Sequence, residues 1–397
     1  MNAAETPKRK SGPPRGAPAE HALRWAAAAA VALALVVTAA AQQARVYRAG
    51  GMWVEETSGS LPAAANLAVK MSIGNVSVQG GNRQQIDYTL TKRVAAATPA
   101  EAQRRFAQFH FSAAKPGETA ALEGVVSGLP QSLNAELLVQ VPRKMQLVKV
   151  TVINGGNESV SAIDGRVEVR TSAGNLRLDE IGGSAQATSG GGNFEVGKVG
   201  GDLVVNAGGG SVHVSSVRGN MTASTGGGNV SVGSVSGSVT VRTGGGSIDV
   251  KQCAGNFNAV TGGGIIRLGS AAGPVMANSA AGAIQLFGLA RGANVVTGGG
   301  GIVAEFLSGG STPSSLQTRN GDIVVYVGRN FRANVQAEID MANGHRLRSD
   351  FPEIAVTDPG GPSGARTIRA AGNLNGGGPL LRISAMSGDI EFRRAQR

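Results

Sequence analysis

Residues 225–242 read Thr225-Gly226-Gly227-Gly228-Asn229-Val230-Ser231-Val232-Gly233-Ser234-Val235-Ser236-Gly237-Ser238-Val239-Thr240-Val241-Arg242. Displaced by eighteen places in either direction the pattern returns, eight times between residue 157 and about 307. Glycine recurs at 174, 192, 210, 228, 246, 264, 282 and 300. Two places later come Leu176, Phe194, Val212, Val230, Ile248, Ile266, Ile284 and Ile302, and after two more Leu178, Val196, Val214, Val232, Val250, Leu268, Leu286 and Ala304. A fixed period of this length marks stacked repeats, each too small to bury its own apolar face.

The period divides into two nines. A second glycine column stands at 183, 201, 219, 237, 255 and 273, followed by apolar pairs such as Leu203 and Val205, Val239 and Val241, Phe257 and Ala259. Each coil therefore holds two short strands with alternate side chains pointing inward. This predicts an all-β fold, a single-stranded β-solenoid of the β-helix or β-roll kind with two strands per coil. The glycine clusters are expected to supply positive φ at the corners. One corner carries a further inward column, Ile181, Val199, Val217, Val235, Cys253, Ala271, Leu289 and Leu307. The Gly-Gly-Gly corner is preceded by hydroxyls, Thr171, Ser189, Thr225, Thr243, Thr261, Ser279 and Thr297, with one gap at Ala207. Such hydroxyls would satisfy backbone groups at the bend.

Outside the array, residues 1–24 form a basic polar tail, and 25–41 is an uncharged alanine-, valine- and leucine-rich run. The run reads as the apolar part of an export signal or as a single membrane anchor; either way the remainder crosses a membrane. Residues 42–65 read as a linker and 66–156 as N-terminal strands with a cap. In that cap Thr98-Pro99-Ala100-Glu101 opens a helix of about 13 residues containing Phe106, Phe109 and Phe111. The regular solenoid is 157–310, and 311–397 supplies C-terminal strands and a second cap.

The chain carries a net charge of +11, but the array holds nine bases against nine acids, so the surplus lies at the ends. A nucleic-acid binder gathers its bases on one face, and this body does not. Weak attraction of the basic ends to anionic envelope polymers or lipid headgroups is the partner chemistry that remains. The lone cysteine, Cys253, excludes an intramolecular disulfide framework and falls in a buried column as an inert thiol.

These strings resemble a bacterial family. Gly74-Asn75-Val76-Ser77-Val78, the Gly-Gly-Gly coils, Asn320-Gly321-Asp322-Ile323, Ser349-Asp350-Phe351-Pro352, and Gly372-Asn373-Leu374-Asn375-Gly376-Gly377-Gly378-Pro379-Leu380 with Ser387-Gly388-Asp389-Ile390 are similar to the β-strand-repeat family known as "putative adhesin", domain-of-unknown-function family 4097. The similarity spans roughly 66–393. It implies an exported or membrane-anchored envelope protein, in the periplasm or at the cell surface, with a β-solenoid body. It brings no catalytic residues.

A search for chemistry returns little. The Gly-Gly-Gly corner lacks the lysine and following helix of a phosphate loop. The outward column Arg177, Glu195, His213, Ser231, Asp249, Arg267, Gln285, Val303 offers one aspartate, too few for a calcium ladder, and no threonine ladder. His21, His110, His213 and His345 have no metal-ligand spacing, so no catalytic, cofactor or metal residue is assigned. The alternative function is a polysaccharide lyase or hydrolase on the same scaffold, using Asp179, Glu180 and Glu195, or less favourably Asp164 with Asp202. The 4% aromatic content argues against a sugar groove. The expected role is a non-enzymatic envelope scaffold or interaction surface; a sensor-associated envelope-stress role is compatible but has no sequence feature of its own.

Overall fold

The computed structural model describes residues 43–128, 133–308, 312–358 and 366–395. The tail and the apolar run, 1–41, lie outside them. No helix among the described residues is long and apolar enough to cross a membrane.

Every coil of the array is a pair of strands, usually six residues then five, as in Val230–Val235 and Val239–Thr243; the exceptions include the three-residue Ile266–Leu268. Each strand pairs in parallel with its equivalent eighteen residues on. Val212 lies beside Val230 and Val230 beside Ile248 in one sheet, with Met221 beside Val239 and Val239 beside Phe257 in the other. The inward columns are essentially dry: Val212, Val230, Ile248 and Ile266 are all at most 1% exposed. β-Branched and small apolar residues suit this pleated, two-walled interior.

Glycine serves the corners differently from the expectation. Within the array the glycines with positive φ are Gly174, Gly192 and, at an irregularity, Gly288, and Ala162 and Glu180 adopt it without being glycine. The third glycine of the corner is needed for space. A Cβ on Gly228 would lie 2.2 Å from the carbonyl oxygen of Gly210 in the preceding coil, whereas one on Gly227 would meet nothing within 4 Å. The middle position accordingly admits Ala281, while the third is glycine in every coil.

The inward corner column also fails at its last member. A register shift between Leu286 and Leu289 places Phe306 opposite Leu289, so Phe306 is buried and Leu307 is exposed. The extra residue of the bulge turns the following side chains to the other face.

The N-terminal end departs further from expectation. The segment read as a linker is a hairpin of β1 (Gln43–Ala49) and β2 (Met52–Pro62). After β3 (Asn66–Met71) and β4 (Asn75–Gly81), the long β5 (Gln85–Val94) pairs antiparallel with β2. Helix α1 is Pro99–Phe106, shorter than predicted. Thr98 caps it by accepting the Glu101 amide at 3.3 Å, and Glu101 turns back to accept the Ala97 amide at 3.1 Å. The helix stops because Phe109, Phe111 and Ala113 alternate as a strand: β6 (Phe109–Ala114) pairs antiparallel with β7 (Thr119–Val126). Phe109 and His110 thus belong to a strand, and Ala102 and Phe106 form the buried face of α1 with Val94. The strands β8 (Leu133–Pro142) and β9 (Leu147–Val152) then lead into the array.

At the C-terminal end, stacking order parts from chain order. The last coil, Leu380–Ser387 with Ile390–Arg394, lies in parallel against Ser314–Asn320 and Ile323–Asn330. The intervening chain crosses over it and closes the end with the antiparallel pair Ala333–Ile339 and Ile368–Leu374. Antiparallel strands thus finish both sheets at the N-terminal end and one sheet at the C-terminal end, where the other sheet ends on the short parallel strand Leu347–Ser349.

Candidate functional site

Corner geometry decides which polar groups are spent on the fold. From Ser189 onward the buried hydroxyls before the Gly-Gly-Gly corner donate to a carbonyl fifteen residues earlier, as Thr225 to Gly210 at 2.9 Å, Thr243 to Gly228 at 2.9 Å, Thr261 to Gly246 at 2.8 Å and Thr297 to Gly282 at 2.8 Å, whereas Thr171, in the first coil, donates to Ala173 at 3.1 Å. The same oxygens accept corner amides, as Gly246 to Thr243 at 3.1 Å. A second ladder, unforeseen from sequence, runs along the asparagines that follow the corner. Asn75 accepts the amide of Asn157, Asn157 that of Asn175, Asn175 that of Asn193, and Asn193 that of Ser211, at 2.8–3.0 Å. One side-chain acceptor per coil is all this ladder uses.

The carboxylates considered for sugar chemistry are drawn into such roles. Asp179 accepts the amides of Glu180 and Lys198 at 2.9 and 3.3 Å. Glu195 pairs with Arg177 at 2.6 Å. Arg143 holds Asp164 at 2.8 Å and Glu180 at 3.5 Å, and Asp202 accepts the Asn220 amide at 2.7 Å. Glycosidic chemistry needs two carboxyl groups facing each other across the scissile bond; here each is turned to a guanidinium or to backbone. Cys253 is buried with its thiol 3.4–3.5 Å from the carbonyls of Gly237, Gly255 and Asn256, and burial pushes its pKa up.

A different cluster assembles at the C-terminal end. The corners Asn320-Gly321-Asp322 and Ser387-Gly388-Asp389 stack directly, because Asn320 pairs with Ser387 and Ile323 with Ile390. The strand Leu347–Ser349 adds to the other side of Ile390–Arg394 and carries His345 into the stack. Asp322 accepts the Asp389 amide at 2.8 Å, and Asp389 accepts the Arg346 amide at 3.1 Å, so the acceptor ladder continues here in aspartate. His345 Nδ1 lies 3.1 Å from Asp389 Oδ1, and its Nε2 lies 3.1 Å from Ser387 Oγ. One ligand-type atom from each of Asp322, His345 and Asp389 falls within 4.8 Å of the others. His345 also lines a cavity of about 460 Å³ with Arg346, Arg348, Val356 and Arg366. Two of these cations are matched, Arg366 by Asp358 and Arg348 by Glu391.

Sequence spacing hid this cluster, since Asp322 and Asp389 are 67 residues apart and meet only because the chain returns to stack its last coil on an earlier one. The repeated Gly-Asp-Ile at 321–323 and 388–390 was the available signal. His110 and His213 stay apart on strands, and His21 lies outside the described residues.

No family model matches the chain, and no curated protein does. Among solved structures the chain is similar to a "putative cell adhesion protein" from Clostridium sporogenes, with 9% identity over 86% of this chain and 100% of that one, at a TM-score of 0.20. A "putative adhesin" from Bacteroides fragilis matches at 9% identity over 85% and 96%, TM-score 0.25. A "putative lipid binding protein" from Parabacteroides distasonis matches at 8% identity over 85% and 96%, TM-score 0.22.

Proposed function

We propose that the chain is a non-enzymatic β-solenoid of the bacterial cell envelope, exported by way of its 25–41 segment, that acts as a scaffold or contact surface of the adhesin type. The observation that carries this reading is the corner and face chemistry. The carboxylates suited to sugar hydrolysis are committed to Arg143, Arg177 and backbone amides, leaving a long, rigid, mixed polar face. Contact would be made through that face and through the basic ends, where Arg45 and Arg48 stand exposed on the outermost strand, toward anionic polymers or headgroups.

Fractionation followed by N-terminal sequencing tests the compartment. The expected result is an envelope protein, either beginning near residue 42 or retaining residues 1–41 as a tether; a cytoplasmic pool of intact chain overturns it. The contact role is tested by attachment of cells lacking the chain, which should fall. Turnover of an envelope polysaccharide that disappears in the folded triple variant Asp179→Asn, Glu180→Gln, Glu195→Gln would replace this reading with the hydrolase one.

A further inference from the structure

We propose that Asp322, His345 and Asp389 form a binding site for one divalent transition-metal ion, of which Zn²⁺ is the best fit, that clips the chain around His345 onto the last two coils. The argument begins with the acceptor ladder. Asn75, Asn157, Asn175 and Asn193 show that a neutral amide oxygen suffices to receive the next coil's amide. At 322 and 389 the same job is done by carboxylates, which bring negative charge the ladder does not need. They sit in adjacent coils, a strand spacing of ~4.8 Å apart, where like charges repel. Among the described residues, neither forms an ion pair with a lysine or arginine; the basic partner that reaches them is His345.

The geometry suits an ion. Metal bonds of about 2.0–2.1 Å at tetrahedral to right angles separate two ligand atoms by roughly 2.9–3.4 Å. His345 Nδ1 and Asp389 Oδ1 are already 3.1 Å apart, so an ion can take that edge without displacing either residue. Asp322 supplies the third atom within reach. Ser387 Oγ lies 3.1 Å from Nε2: once an ion takes the place of the proton between Nδ1 and Asp389 Oδ1, the ring proton sits on Nε2, and the Ser387 hydroxyl oxygen can accept it and hold the ring in place. One imidazole and two carboxylates suit Zn²⁺ with a fourth position open, whereas Ca²⁺ requires six to eight oxygens. The cluster belongs to the C-terminal end, beside Arg346 and Arg348, but zinc retention is read without any contact partner, so either idea can fail alone.

The test uses the untagged full-length chain, stripped with chelator, exposed to Zn²⁺ alone and passed through gel filtration before metal analysis. Asp322→Asn and Asp389→Asn keep the ladder acceptor and remove only charge, so the fold is retained. The expected result is one zinc per chain, zinc-dependent elevation of the thermal midpoint, loss of stoichiometric zinc in His345→Ala, and at least tenfold weaker binding in each asparagine variant. Ser387→Ala should weaken binding about tenfold. Absence of retained zinc overturns the proposal, as does equal retention in His345→Ala. So does a thermal midpoint that ignores zinc.

Discussion

At Gly228 the neighbouring coil comes so close that a methyl group would press on the Gly210 carbonyl, while the adjacent Gly227 faces open space. Gly227→Ala should therefore be neutral or stabilising by about 0.4–1 kcal/mol through the unfolded chain. Gly228→Ala should cost about 2–3 kcal/mol as backbone is forced apart. Chemical denaturation of the two variants side by side checks this. Glu158 presents the opposite problem. It occupies an inward position between Val76 and Leu176 and is 2% exposed, with neither carboxylate oxygen in a normal hydrogen bond. Burial raises its pKa to about 8, and the nearby Thr171 hydroxyl and its own backbone amide offset only part of this. The folded chain thus holds a proton that the unfolded chain releases near pH 4.5. The neutral carboxyl's contribution is intact below that pH and is lost as pH rises to about 8, a change on the order of 4–5 kcal/mol. Glu158→Gln should flatten the stability–pH profile between 4.5 and 8, and Glu158→Leu should in addition raise the thermal midpoint at pH 8. An unchanged profile in Glu158→Gln would contradict the assignment.

At the scale of a coil, the hydroxyl ladder is the device that ties one bend to the next. Thr243 gives its proton to Gly228 and receives the Gly246 amide, so Thr243→Ala strips two buried partners and should cost about 1–2 kcal/mol. The gap at Ala207 offers the converse. The residue is 8% exposed, and by the fifteen-residue rule Ala207→Thr would reach the Gly192 carbonyl and add about 1 kcal/mol. Thermal midpoints moving in opposite directions are the expected readout. The coil was legible in the sequence because inward columns and corner hydroxyls repeat at a fixed period, with Ala207 the one gap among the hydroxyls, and repetition reveals geometry that a single strand would not. The caps were less legible because they occur once. Residues 43–62 have no repeat to betray the hairpin, and Phe106, Phe109 and Phe111 are spaced ambiguously between helix and strand. Only pairing with Thr119–Val126 settles the matter in favour of a strand for the last two. At Leu307 the repeat itself misled, because a bulge shifts the register without altering the apolar composition.

Across the whole molecule, parallel coils form the body, antiparallel strands finish the N-terminal end and one sheet of the C-terminal end, and the other sheet ends on the three-residue strand Leu347–Ser349, whose shortness limits pairing with other chains there. The site around His345 illustrates what linear reading misses: its members are distant in sequence, and the stacking order of the last coil brings them together. All of this depends on one coil advancing per eighteen residues. The outward column Arg177, Asp249, Arg267, Gln285 and Val303 reports that advance directly, because its side chains leave the core undisturbed. With Cys253 replaced by alanine, spin labels at 177 paired in turn with 249, 267, 285 and 303 can be measured by double electron–electron resonance. The account predicts distances of roughly 19, 24, 29 and 34 Å, rising by ~4.8 Å at each step; distances that level off or fail to rise in order would contradict it.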